Sequence, residues 1–403
     1  MMETKQNGRV LLIKRQGKIL TLLYNENRLI RANAYQPEEE VLENIYIGKV
    51  KNVVQNIQAV FVEFSPGKLC FLSLKDSKNP IITNRKYDGR IVAGDEIVIQ
   101  ITSESQKTKE AGADTNFSFT GKYLVLSNGK KQIGYSPRLS AVQKERLKAF
   151  VQSEPAFSNA GKEYGLVFRT NINELEDFTQ LLPELERLEQ ERNSVLQTAF
   201  CRTCYSCLRK APSAYLKSLQ DFYSKTYEKI VTDDALLYEE AKEYLKQYQP
   251  SDLEKLSFYE DALLPLSKLY SVESRLEEAL NRKVWMRSGG YLVIDRTEAL
   301  TCIDVNTGKT VGKKNKSETC FQINMEAAKE IGIQLMLRNI SGIIIIDFIN
   351  MDTEEQKKTL MKYLKEVLTR DSIKTMVVDM TPLGLVEVTR KKEKKSLWEQ
   401  LQA

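Results

Sequence analysis

Two aspartates and an asparagine carry the strongest chemical signal in this chain. "ALTCIDVNTGK" (299–309) brings Asp304 to the end of a β-rich run and places Asn306 two residues later. "GIIIIDFINMD" (342–352) ends a second apolar run on Asp347. Two carboxylates at neighbouring strand ends suit a hard cation such as Mg2+, which takes oxygen ligands at ~2.1 Å and keeps several waters. Such an ion lowers the pKa of a bound water and so supplies a nucleophile. Asn306 falls on the same side of an extended chain as Asp304, where its amide can orient a carboxylate or touch a phosphate. The competing reading is turn chemistry, since an aspartate after a strand often closes a turn or caps a helix.

The elements that must position these groups are legible around them. "YLVIDR" and "ALTCIDV" read as a hairpin with Thr297 and Glu298 near its turn. "INMEAAKEIGIQLMLRNI" reads as a helix with Met325, Ala328, Ile331 and Leu335 on one face. "GIIIIDFIN" reads as a strand buried on both faces. Asp352 and Glu355 have the spacing of a capped helix start. Leu360, Met361, Leu364, Val367 and Leu368 then recur at helical period, before the strand "KTMVVDM". Strand–helix–strand order predicts a right-handed parallel crossover. Its ligand site lies at the strand C-terminal ends, where Asp304 and Asp347 fall.

Upstream, residues 8–35 alternate strand-like runs and turn residues, as in a small antiparallel unit. Short β-rich runs from Ile45 to about Thr120 suggest a Greek-key barrel of the oligonucleotide-binding type. "GKYLVLS" (121–127) and "EYGLVFRTN" (163–171) read as strands, with the helix "SAVQKERLKAFVQS" between them. A helical section follows, which includes Cys201, Cys204 and Cys207 at steps of three. Three thiols do not close a tetrahedral zinc site, and steps of three place them along one side of a helix. They are expected to be free thiols.

Composition removes several classes of function. The 403 residues contain no histidine, so His general bases, Ser-His-Asp triads and His-containing zinc sites are excluded. The net charge of +6 and the run "RKKEKK" (390–395) permit an acidic partner such as nucleic acid. The N-terminal residues lack the apolar core of a signal peptide, and no apolar run is long enough for a membrane span. The six cysteines then read as reduced thiols of a cytoplasmic protein.

"IDRTEALTCIDVNTGKTVG", "NMEAAKEIGIQLMLRNISGIIIIDFINM" and "TPLGLVEVTRKK" closely resemble the catalytic core of the ribonuclease E/G family. "ENIYIGKV…QAVFVEFSPGKLCFLSL" resembles that family's RNA-binding barrel, and "GKYLVL…GLVFRT" its 5′-end sensor. The resemblance implies an α+β multidomain fold: an S1/OB-type barrel and 5′-sensor inserted in a ribonuclease H-like subdomain, followed by a DNase I-like α/β catalytic subdomain. The implied boundaries are 1–38 and 212–280 for the two parts of the ribonuclease H-like subdomain, 39–120 for the barrel and 121–211 for the sensor region. Residues 281–390 form the catalytic subdomain and 391–403 a basic tail.

The implied activity is Mg2+-dependent endonucleolytic cleavage of single-stranded RNA by metal-activated water, leaving a 5′-phosphate and a 3′-hydroxyl, in RNA processing and decay. Asp304 and Asp347 match the family's metal-binding aspartates, and Asn306 the asparagine that supports the first. Phe61, Phe71 and Lys109 match substrate contacts in the barrel; Lys51 and Lys68 are near in sequence. Glu110 and Asp114 make the stretch around Lys109 more acidic than the family pattern. From residue type alone, a Phe on a strand is more often core. Gly121, Val125, Arg169 and Thr170 match the 5′-monophosphate pocket, and Lys374 stands where the family has an arginine. A lysine keeps the charge and loses the guanidinium fork, so weaker 5′-end sensing is expected. The family's C-P-x-C zinc link after "TRKK" has no counterpart in this sequence, whose last cysteine is Cys320. No structural zinc is therefore expected, any homo-oligomer is expected not to be zinc-bridged, and the chain reads as the short, ribonuclease G-like form. The alternative is an RNA-binding protein of the same fold with weak or lost catalysis. Asn350, where the family usually has an acidic residue, leans that way; Asp304, Asn306 and Asp347 lean against it.

Overall fold

A computed structural model of the chain describes residues 8–402, apart from 38–40, 78, 104–109, 223–225, 262, 309–315, 370 and 372. The chain forms two compact units. One comprises 1–37, 224–243 and 251–403; the other comprises 38–223 and 244–250.

The elements in chain order begin with the meander β1 (Gly8–Arg15), β2 (Lys18–Asn25) and β3 (Arg28–Tyr35). Next come β4 (Ile45–Val54), β5 (Ala59–Ser65), β6 (Lys68–Ser73), β7 (Glu96–Ser103) and β8 (Ala111–Asp114). These five close into a barrel in the order β4-β5-β6-β8-β7, with β7 returning to β4. Alternation closes it sensibly: Val60, Val62, Ile97 and Ile99 point inward and are fully buried, while the intervening residues face out.

β9 (Ser118–Thr120), β10 (Leu124–Ser127), β11 (Ile133–Tyr135) and β12 (Gly165–Phe168) make a four-stranded sheet. α1 (Ala141–Ser153), capped by Ser140, lies between β11 and β12 in the chain, and α2 (Leu181–Ala199) follows. Phe117, Phe119, Leu166, Phe168, Leu181 and Leu188 share one core there.

α2 ends before the cysteine cluster. Residues 200–206 turn, with Tyr205 at φ +69, and β13 (Cys207–Arg209) adds to the outside of β4. The expected helix through Cys201, Cys204 and Cys207 is therefore wrong. "CRTCYSC" has no apolar period to bury, and its backbone pairs with the barrel instead, through Tyr205 N–H to the Ile47 carbonyl.

α3 (Ala214–Lys217), β14 (Lys229–Thr232), α4 (Ala235–Tyr248), β15 (Leu256–Phe258), α5 (Leu266–Leu269) and α6 (Val272–Leu280) come next. β14 and β15 join the N-terminal meander in a five-stranded sheet, β15-β14-β1-β2-β3, with β14 parallel to both neighbours. This stretch is thus less purely helical than its sequence suggested.

The last section supplies β16 (Lys283–Trp285), β17 (Tyr291–Arg296), β18 (Leu300–Asn306), α7 (Lys316–Leu337) and β19 (Gly342–Asp347). α8 (Glu354–Leu368), β20 (Thr375–Met380), β21 (Leu385–Arg390) and α9 (Leu397–Gln402) complete it. The sheet order is β16-β17-β18-β19-β21-β20. The expected hairpin is β17–β18. β18 and β19, joined through α7, are parallel neighbours, whereas β19 and β20, on either side of α8, do not pair: β21 lies between them, antiparallel to both.

Two further details differ from expectation. β19 is buried on one face only: Ile344 and Ile346 pack against α7 and α8, while Ile343 is 51% exposed. Helices cover one side of this sheet, and four consecutive isoleucines do not reveal that. The cap of α8 is Thr353, whose side chain accepts from Gln356 N–H, rather than Asp352. Thr353 and Gln356 still have the capping-box spacing. Among the described residues no helix is long and apolar enough to cross a membrane.

Candidate active site

The open face of the six-stranded sheet carries the predicted carboxylates. Asp304 and Asp347 are register partners across the parallel β18–β19 pair, so both point to the same side. Both are exposed, and Asn306 is half-exposed beside them. The Asn306 amide Nδ2 donates to Asp304 Oδ2 at 2.7 Å. Among the described residues, the other Asp304 oxygen and the whole Asp347 carboxylate have no hydrogen-bond partner. Like charges directly opposite on neighbouring strands repel. Two unpaired carboxylates in this position therefore fit a divalent cation, whose oxygen ligands they would be.

The loops beneath them are held by groups that the sequence did not single out. Asn324 on α7 is fully buried. Its Nδ2 donates to the Ile349 carbonyl and its Oδ1 accepts from Ile349 N–H, at 2.7 and 3.0 Å. That pair anchors the segment leaving Asp347. Glu326, also on α7, accepts from the N–H groups of Arg287 and Ser288 and fixes the turn between β16 and β17. That turn presses on the chain after Asn306. Gly308 has φ +64, and a Cβ there would lie 2.2 Å from the Gly289 carbonyl oxygen; only glycine fits both conditions. An asparagine on an otherwise apolar helix face was the available signal for Asn324.

In the barrel, Phe61 and Phe71 are register partners on β5 and β6. Their rings meet edge-on, with centroids 6.2 Å apart. Phe71 is 38% exposed and Phe61 is half-buried on the outer face, so neither belongs to the barrel core. Lys51 is paired with Glu63 at 2.8 Å. Hydrogen bonds from Lys51, then Tyr205 and the Gly67 backbone, hold the Glu63 carboxyl down at about 2. Lys109 lies outside the described residues.

The third group surrounds Arg169 at the end of β12. Its Nη1 donates to the Gly121 carbonyl at 2.6 Å, and Nη2 lies 3.6 Å from Asp221. Thr170 shares a 2.8 Å hydrogen bond with Ser136. Val125 pairs with Val167, two residues before Arg169, and shares its face. Gly121, Val125, Arg169 and Thr170 thus come together. Lys374 is exposed just ahead of β20 in the other unit.

The residue that builds this loop is Glu184, in the first turn of α2. Its buried carboxylate accepts from the N–H groups of Lys122, Tyr123 and Leu124, at 3.1, 2.9 and 2.7 Å. Burial pushes its pKa up, and the backbone donors pull it down. A Cβ on Gly121 would lie 2.2 Å from Glu184 Oε1, so any side chain there would push the carboxylate off its three N–H donors.

Comparison with known proteins matches the chain to one family. The model of the ribonuclease E/G family covers residues 118–393. Ribonuclease G of Haemophilus influenzae is 35% identical over 378 residues, 90% of this chain and 74% of that protein. Ribonuclease G of Escherichia coli K12 is 34% identical over 373 residues, 89% and 74% of the two chains. This chain belongs to the ribonuclease E/G family. Ribonuclease E of Buchnera aphidicola is 29% identical over 90% of this chain but only 38% of its own length.

As a ribonuclease E/G member the chain has individual features. Asn350 is exposed in the loop after Asp347. Cys201 and Cys207 are exposed and Cys204 is half-buried, all as free thiols. Among the described residues, no group of three or more acidic or cysteine side chains is arranged to hold a metal ion. A hard cation held by Asp304 and Asp347 would take its remaining oxygen ligands from water and substrate.

Proposed function

We propose that this endoribonuclease cuts single-stranded RNA in a Mg2+-dependent hydrolysis that leaves a 5′-phosphate and a 3′-hydroxyl, in RNA processing and decay. The observation that carries the reading is the side-by-side placement of Asp304 and Asp347 on an open sheet face, with Asn306 bonded to the first. Asp304 and Asp347 would hold the ion, and Asn306 would keep the Asp304 carboxylate turned toward it. When bound, the ion activates water and offsets phosphate charge. The absence of histidine agrees, because no His pair exists to activate the 2′-hydroxyl. Incubation of the purified chain with a 5′-monophosphorylated single-stranded RNA, with Mg2+ and with excess EDTA, tests this. Cleavage that survives EDTA would remove the metal from the reading.

The two sheet regions of the first unit are read as ribonuclease H-like and DNase I-like subdomains, and the barrel as an S1 domain. The family sequence pattern and the closed five-stranded barrel support that division. We read the protein as cytoplasmic, without a structural zinc and with any self-association independent of zinc.

Phe61 and Phe71, with Lys109, are assigned to RNA binding. Exposed aromatic faces stack on bases, at ~1–3 kcal/mol per base. Phe61→Ala or Phe71→Ala is expected to weaken RNA affinity about 5- to 150-fold. The slope of log affinity against log salt should barely change, since stacking releases no counterions, whereas each phosphate contact contributes about −0.7. Fluorescence anisotropy at several salt concentrations measures both. Wild-type affinity in both variants would make the two rings bystanders.

Gly121, Val125, Arg169 and Thr170 are assigned to the RNA 5′-monophosphate. A guanidinium and a hydroxyl suit phosphate oxygens, and the present partners of Arg169 are two carbonyls and a carboxylate at 3.6 Å. Initial rates on matched RNAs with 5′-monophosphate, 5′-triphosphate and 5′-hydroxyl ends should favour the monophosphate. Arg169→Ala removes most of that preference. Equal wild-type rates on all three would show that no sensor operates.

A further inference from the structure

We propose that Trp285 and Tyr291 form a base-stacking subsite on the open sheet face, which takes an unpaired RNA base next to the scissile phosphate. The proposal rests on Asp304 and Asp347 as the cleavage centre. Trp285 is the register partner of Tyr291, and Tyr291 that of Asn306. Ladder partners share a face, so these three side chains form one row across β16, β17 and β18. The adjoining row runs Lys283, Val293, Asp304, Asp347. At ~4.8 Å per strand, Trp285 stands about 10 Å from Asn306 across the sheet. The aromatic row thus leads directly into the carboxylates.

The rings are presented rather than packed. Trp285 is 63% exposed, which is unusual for a residue type that is mostly buried. The two centroids are 5.0 Å apart at 58°. The Lys283 ammonium lies 3.5 Å from the Tyr291 centroid and 4.0 Å from that of Trp285, a cation–π contact that steadies both rings. It also places a positive charge where an RNA backbone would pass. Aromatic faces beside a lysine and a phosphodiester-cleaving centre match a single strand, whose bases are free to stack.

The test uses the full chain. Trp398 is the only other tryptophan, so Trp398→Phe leaves Trp285 as the sole indole. In an Asp347→Asn, Trp398→Phe background, a single-stranded RNA oligonucleotide should quench the fluorescence with saturation. In the cleaving protein, Trp285→Ala should lower kcat/KM about 5- to 150-fold, and Trp285→Phe should restore most of it. An abasic nucleotide at one position beside the cut should reproduce that loss in wild type and add little to Trp285→Ala. Unchanged fluorescence at saturating RNA, or full activity of Trp285→Ala, would overturn the proposal. So would an emission that shifts with protein concentration alone, which would mark the rings as a self-association contact. If wild type cuts no RNA in Mg2+, the cleavage reading fails, while the quenching experiment still judges the subsite.

Discussion

Asp304→Asn and Asp347→Asn should each lower RNA cleavage by about 100- to 1000-fold, and RNA affinity should stay near wild type. Each change removes one of two anionic ligands from the proposed ion site. The charge stabilisation such an ion supplies is several kcal/mol, and each ~1.4 kcal/mol is tenfold in rate. The stacking surface on the barrel is untouched. A second readout needs no activity. Opposed carboxylates without a cation cost ~0.2–1 kcal/mol, so in EDTA each variant should melt at or slightly above wild type. Mg2+ should raise the wild-type melting temperature through binding to the folded state, and raise that of neither variant. Full cleavage by either variant, or an equal Mg2+ response in all three proteins, would refute the metal assignment.

Glu184→Ala should strongly destabilise the unit that holds the barrel. The carboxylate is the acceptor for three N–H groups of residues 122–124. Leaving buried donors unpaired costs ~1–3 kcal/mol each; with water partly replacing the lost acceptor, about 3–5 kcal/mol is expected. For a unit of this size that is a melting shift of roughly 6–20 °C. The same change should abolish any 5′-monophosphate preference, because the Gly121 and Lys122 carbonyls that hold Arg169 belong to this loop. Glu184→Gln keeps the shape and one acceptor oxygen, so it should lie between wild type and the alanine variant. Differential scanning calorimetry and the three-substrate rate comparison measure the two effects. An alanine variant that melts within 2–3 °C of wild type, a shift worth only ~1 kcal/mol, would mean that the loop holds itself.

The placement of the catalytic candidates was legible because it depends on local pattern. Apolar runs that end in Asp304 and Asp347, with a helical repeat between them, specify parallel strands whose ends meet. The barrel was legible for the same reason, from short alternating runs punctuated by turn residues. Glu184 was not. A glutamate in the first turn of a helix usually complements the helix dipole in solvent, and nothing local says that a loop sixty residues earlier will cover it. The cysteine steps misled in the opposite direction, since equal spacing suggests one helical face only where the chain is helical.

The sequence by itself determined which groups are available for chemistry. It has no histidine, it places carboxylates at the ends of two strands, and it puts Phe61 and Phe71 on barrel strands. These follow from residue identity and from the periods of helix and strand, which are properties of neighbouring residues. Tertiary structure alone decided which of those groups face one another. Strand alternation says that Tyr291, Asp304 and Asp347 each point to one side of their own strand. Only the register between strands, set by burying Ile303, Val305, Ile344 and Ile346 beneath α7 and α8, brings them to the same side and into adjoining rows.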